Sequence, residues 1–220
     1  MKLYALALFF AAAIATSAQA GQLGSQAATV GEGGLSFSAG INYASKDMKI
    51  NGAKEEMVAR QLVLTGDYGL LPSLDLYIKL GLADMEVKGF KGRLDALYGV
   101  GAKFKLFKDP EDKVNVTING GVTRFNSGDS SADATVTDYI GAVIVSNRAG
   151  NMTPYGGIKV CETEAEVKPT GAGSPSKYTA DKKVGILAGV DYFVNPNVFF
   201  NGEVNLFDQQ AVYLGAGFKF

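Results

Sequence analysis

The 220 residues carry 21 Lys or Arg against 22 Asp or Glu, and this net charge of −1 offers no global field to nucleic acid or to an acidic surface. Twenty-eight glycines, ten tyrosines and thirteen phenylalanines, with no tryptophan, favour strands over periodic helix. The lack of histidine excludes a Cys/His metal site, and no cofactor is expected.

Met1-Lys2 open a segment with a positive start, an apolar stretch from Leu3 to Ala15 too short to cross a bilayer as a helix, and the small-residue pattern Ala18-Gln19-Ala20. Residues 1–20 are therefore expected to be an export signal and residues 21–220 a single domain. Export implies an oxidising compartment, yet Cys161 is the only cysteine and closes no disulfide within the chain. With no histidine beside it and Lys159 on its own strand, Cys161 reads as a small residue packed in a strand.

After a polar lead to Gly34, alternation sets in. Leu35, Phe37, Ala39, Ile41 and Tyr43 face Ser36, Ser38, Gly40 and Asn42 across the first predicted strand. Lys46 to Glu56 reads as a charged loop, Met57 to Tyr68 as the second strand, and Gly69 to Ser73 as a tight turn. The cleanest alternation follows: Leu74, Leu76, Ile78, Leu80 and Leu82 against Asp75, Tyr77, Lys79, Gly81 and Ala83. A fourth strand runs from Leu94 to Leu106, a fifth from Val114 to Thr123, and a sixth near Val136 to Ser146, where Ala142-Val-Ile-Val145 hides which face is which. A seventh begins at Thr153 and passes into a long polar segment ending near Asp181; Val184 to Tyr192, Val198 to Leu206 and Ala211 to Phe220 complete ten.

Ten strands with connections alternately short and longer describe an all-β, closed antiparallel up-and-down barrel, eight strands being the alternative count. The C-terminal strand Ala211-Val-Tyr-Leu-Gly-Ala-Gly-Phe-Lys-Phe220, ending in an aromatic, resembles the terminal strand of Gram-negative outer-membrane β-barrels. Over the whole mature chain the pattern is similar to the small OmpA/OmpX-like and opacity-type barrels. That resemblance implies a transmembrane barrel in the outer membrane, with Tyr213, Phe218 and Phe220 as the signal read by the barrel-assembly machinery. It also implies periplasmic termini and outer loops near residues 45–56, 87–92, 126–135, 163–181 and 207–210. Tyr68, Phe107, Tyr155, Tyr192, Phe193, Phe199 and Phe200 stand near the short turns, where an interfacial girdle would lie.

On the polar faces Asp67, Asp75, Asp95, Asp191 and Glu203 stand against Lys79, Lys103, Lys105, Lys159, Lys183 and Lys219. They are expected to face the lumen as a charge network, which either fills the barrel or lines a narrow pore. Inward glycines, among them Gly40, Gly101, Gly189, Gly215 and Gly217, either clear a channel or seat tyrosine rings. No enzyme is expected: barrel enzymes such as the omptins use a histidine that this sequence lacks, and the acidic pairs Asp129/Asp133 and Glu162/Glu164 fall in loop-like segments. The expected protein is a monomer in outer-membrane lipid with a structural or surface-interaction role. A narrow pore for small solutes is the alternative, and a secreted lipocalin-like barrel that buries its apolar face is the second.

Overall fold

The computed structural model describes residues 27–108 and 113–220; the expected export signal lies outside them, as does most of the turn after Lys108. Among the described residues twelve strands follow one another: β1 (Leu35–Ile50), β2 (Ala53–Leu71), β3 (Leu74–Val87), β4 (Phe90–Lys91), β5 (Asp95–Lys108), β6 (Val114–Gly128), β7 (Ala132–Asn147), β8 (Met152–Pro169), β9 (Ser176–Ala180), β10 (Val184–Phe193), β11 (Val198–Leu206) and β12 (Gln210–Lys219). All strand pairings are antiparallel. Ten strands form a closed ring, because β12 pairs with β1 from Ser36↔Lys219 to Ser45↔Gln210 while β10 pairs with both β8 and β11. The short β4 and β9 stand outside that ten-strand count. The first and last strand residues share one end of the barrel, the near mouth.

The apolar side chains point outward. Phe37, Ile41, Leu62, Leu64, Leu76, Ile78, Leu80, Val100, Ile158, Ile186, Phe200 and Leu214 are all exposed, while Asp67, Asp75 and Lys103 have no exposure at all. This is the reverse of a lipocalin-like barrel and overturns that alternative. The sixth predicted strand, β7, now has faces: Val143 and Val145 point out, Ala142 and Ile144 in. Tyr68, Phe107, Tyr192 and Phe200 form part of an outward girdle at the near mouth, whereas Tyr155 and Phe199 are buried inside, contrary to the sequence expectation.

Above this belt the strands continue without a break in register but with their amphipathicity inverted. On β1 the odd positions remain outside and the even ones inside; yet the outward residues change from Phe37, Ile41 and Tyr43 to Asp47 and Lys49, and the inward ones from Ser38 and Asn42 to Ala44 and Met48. On β3 the outward leucines give way to Asp84 and Glu86, and the inward charges to Ala83, Met85 and Val87. On β8 Ile158 and Val160 are followed outside by Glu162, Glu164 and Glu166, with Ala165 and Val167 inside. Lipid demands an apolar exterior and water a polar one, so the switch marks the upper edge of the bilayer.

Three expected loops are therefore strand. Residues 45–56 form a hairpin closed at Asn51-Gly52, whose positive φ values of 50° and 84° fit a two-residue primed turn. Residues 126–135 are strand except for Asp129 to Ser131, and 163–169 belong to β8. Strands β10, β11 and β12 have only 10, 9 and 10 residues and end at the upper edge of the belt. Beyond them β9 bridges β8 (Glu164↔Thr179) and β1 (Met48↔Ala180), so the ten-strand wall narrows to an eight-strand annulus at the far mouth.

Ile78 lies mid-belt, paired with Gly66 and Val100, and is 55% exposed. Ile78→Arg should destabilise the barrel by about 2–4 kcal/mol if it sits at mid-bilayer, measured by denaturant unfolding in lipid vesicles; an effect within error would place this face outside lipid.

Candidate functional site: the barrel interior

The interior is occupied at three levels. At the near mouth, residues expected to be a free periplasmic lead turn back into the barrel. The Ala27 N–H donates to Asp191 Oδ2 at 3.1 Å, the Val30 N–H to Asp75 Oδ2 at 2.6 Å, and the Thr117 hydroxyl to the Ala27 carbonyl at 3.2 Å. Gly33 and Gly34 exchange backbone hydrogen bonds with Gly69, where any β-carbon would strike the Gly31 carbonyl. The segment is thus clamped by the carboxylates of β3 and β10 and by backbone at the end of β2.

The middle level holds the charges. Lys103 Nζ lies 2.9 Å from Asp67 Oδ1, and Lys159 Nζ lies 3.2 Å from Asp208 Oδ2, all four side chains being essentially unexposed. Tyr155 donates to Glu203 Oε2 at 3.1 Å and accepts from Asn201 at the same distance; Asn201 also donates to Asp191, and Asn205 to Glu203 at 2.7 Å. Lys79 stands 5.5 Å over the Tyr77 ring, whose hydroxyl donates to Asn119 Oδ1 at 3.0 Å. The inward glycines seat rings: Tyr213 covers Gly40 and Gly215, Tyr77 covers Gly101 and Gly121, Tyr155 covers Gly189, and Phe199 covers Gly217. A β-carbon at any of these positions would overlap the ring, so the glycines clear space that aromatic side chains then fill.

At the far mouth Met48, Met57, Met85, Phe90, Leu97, Phe125, Val136 and Tyr178 belong to one buried apolar cluster spanning the annulus. Beneath it remains a cavity of about 30 Å3 among Lys46, Lys79, Asp138 and Gln209, room for about one water.

Asp67, Asp75, Lys79, Lys103, Lys159, Asp191 and Glu203 are all buried in the interior. Lys105 and Lys219 are half-buried at the near rim. Two residues are elsewhere. Asp95 is exposed where β5 begins and accepts the N–H of Ala96 at 2.6 Å; Lys183 is exposed above the belt and pairs with Glu162. Both were placed by alternation alone, which ignores where the wall ends. Tyr213 is buried in the lumen, while Phe218 and Phe220 lie outside, 4.7 Å apart, with Phe220 edge-on to Phe37 at 6.0 Å.

Sequence reasoning missed Lys46, Asp138 and Asp208. Lys46 donates to Cys161 Sγ at 3.1 Å and to Thr163, which in turn donates to Asp138. Lys46 has the same parity as Asn42 and Ala44, a signal lost once that stretch was read as loop.

Outside the membrane, Asp181 is gripped by Lys49 (2.5 Å) and Lys54, which tie the end of β9 to the β1–β2 hairpin. Hydrogen bonds from Lys49 and Lys54, then their charges, lower its carboxyl from the usual 3.8 to about 2. A depressed carboxylate contributes stability above its unfolded pKa and loses it as pH falls through the folded one. Protease protection of residues 170–183 should therefore be constant above pH 5 and fall between about pH 4 and 2, and Asp181→Asn should abolish that dependence.

The pair in the middle level yields a second prediction. Lys103→Met leaves the Asp67 charge buried beside an apolar chain and should cost about 3–5 kcal/mol, whereas Lys103→Met with Asp67→Leu should recover most of it. Denaturant unfolding of the three proteins checks both.

Among solved structures the chain is similar to the outer-membrane protease OmpT of Escherichia coli, at 11% identity and a TM-score of 0.50 over 85% of this chain and 95% of that one. It is also similar to the translocator domain of the autotransporter NalP of Neisseria meningitidis (12%, 0.49, 85% and 88%) and to the outer-membrane protein OprG of Pseudomonas aeruginosa (15%, 0.44, 88% and 99%). No protein-family model and no curated protein matches the sequence. At these identities the likeness is one of fold. A closed ring of strands with an apolar exterior and a polar, charged interior is the architecture of an integral outer-membrane β-barrel.

Proposed function

We propose that the near mouth is periplasmic and the far mouth extracellular, and that the protein is a closed, non-conducting barrel, a rigid platform whose far-mouth annulus is the surface offered to partners. The observation that carries this reading is the occupation of the lumen at three successive levels: the clamped segment 27–34, the paired charges with their seated rings, and the apolar cluster at the far mouth. Ten strands enclose little more than side chains can fill. A pore would require the segment to leave its two carboxylates and the cluster of Met48, Met85 and Phe125 to part, two separate events at opposite ends.

A non-enzymatic role is part of the same proposal. The same fold serves the protease OmpT, so architecture alone assigns no activity; the support comes from the side chains. The sequence has no histidine, and the buried carboxylates are engaged in ion pairs, amide contacts and backbone N–H bonds. The aromatic end of β12, with Phe218 and Phe220 outward beside Phe37, supports its reading by the assembly machinery, and a monomer suits a wall with no unpaired edge.

Planar bilayer recording tests the closed state: the refolded barrel should give no discrete conductance steps. Stable unitary steps would sink this reading in favour of the narrow pore.

A further inference from the structure

The periplasmic mouth does not end flush with the clamped segment. Beneath residues 28–31 lies a vestibule of about 720 Å3. Three cationic side chains line it, each from a different sector of the ring: Lys105 at the end of β5, Arg148 on the turn between β7 and β8, and Lys219 at the end of β12. Among the described residues that line it, none is acidic. Asp75, whose carboxylate accepts the Val30 N–H, acts on Lys219 ahead of Arg148 and Lys105, so it offsets part of the positive field of the three cations.

The rest of the wall is partly apolar, through Phe193, Val194 and Pro196.

We propose that this vestibule binds a small soluble organic phosphate from the periplasm, its phosphate held by Arg148, Lys105 and Lys219, and its carbon skeleton against Phe193, Val194 and Pro196. A planar guanidinium meets phosphate oxygens in pairs, and two ammonium groups balance the second negative charge. The segment 28–31 and the turns after β7 and β10 supply most of the lining, so the vestibule opens at the mouth and not on the lipid-facing belt, which favours a soluble ligand over a lipid headgroup. The site stands whether or not the lumen conducts.

Titration calorimetry of the whole refolded barrel in micelles, with glycerol 3-phosphate as probe, tests the site. Saturable, salt-weakened binding is expected, with no heat from glycerol. Arg148→Gln and Lys219→Gln should each weaken it about tenfold, as loss of one charge-assisted hydrogen bond would. Arg60→Gln, on the extracellular face, should leave it unchanged. Arg148 stands on an exposed turn, so its replacement leaves strand pairing intact, and heat-dependent gel migration confirms folding of each variant. Absent saturation, or equal loss with Arg60→Gln, overturns the site. Equal affinity for inorganic phosphate overturns the organic ligand. Loss of binding in phosphatidylglycerol nanodiscs but not in phosphatidylcholine discs assigns the site to a lipid headgroup and overturns the soluble source.

Discussion

A hydrocarbon layer contains nothing to hydrogen-bond a peptide group, and from that constraint the rest of this structure follows. A sheet in lipid must have no edge, so β12 must find β1 and β10 must find β8. Closure at ten strands then fixes the space available inside. That space is too small for a wide channel and too large for aliphatic side chains on their own. The chain answers with long polar side chains laid across the lumen, with tyrosine and phenylalanine rings over glycine, and with its own residues 27–34 folded into the mouth. Each buried charge in turn needs a partner, and those partners come from distant parts of the sequence, as Asp67 with Lys103 and Lys159 with Asp208.

The same constraint, lifted at the edge of the bilayer, explains the upper half. Once water replaces lipid outside, alternation continues but its sense reverses, and six strands, β1, β2, β3, β6, β7 and β8, pass from one solvent to the other without changing register. Below the boundary the interior is polar and the exterior apolar; above it the annulus is built like a water-soluble barrel with its own buried core. The three strands that stop at the boundary leave the wall to be completed by β9, so the reduction from ten strands to eight coincides with the change of solvent.

This reversal also accounts for what could and could not be read from the residues. Strand number, the outward face of the belt, the pairing of the last strand with the first, and seven of the inward charges were legible, because Leu74 to Leu82 and its counterparts alternate cleanly. The extensions were not, since Asp47, Lys49 and Glu162 to Glu166 look like solvated loop when the apolar set is expected to stay on one face. Asn51-Gly52 was the local signal that residues 45–56 were a hairpin. Lys46 and Asp208 join the interior through distant partners, and Lys183 and Asp95 leave it because the wall ends; spacing along one strand carries none of that information. The clamped segment 27–34 has no periodicity, and only the position of Asp75 and Asp191 on facing walls shows where it goes.

The annulus has a consequence for how the protein meets its surroundings. Its connections on the outside are brief, at 51–52, around 89, and at 129–131, with 170–175 the longest. Most of the surface at the far mouth is therefore strand, and in a strand only every second residue faces out. The other half is held by the methionine and aromatic core. Change at the surface is thereby confined to stripes of alternate positions, such as Glu162, Glu164 and Glu166, while the residues between them stay fixed by packing. A partner or an antibody would read this protein as a ribbed wall whose pattern can be rewritten only on the ribs.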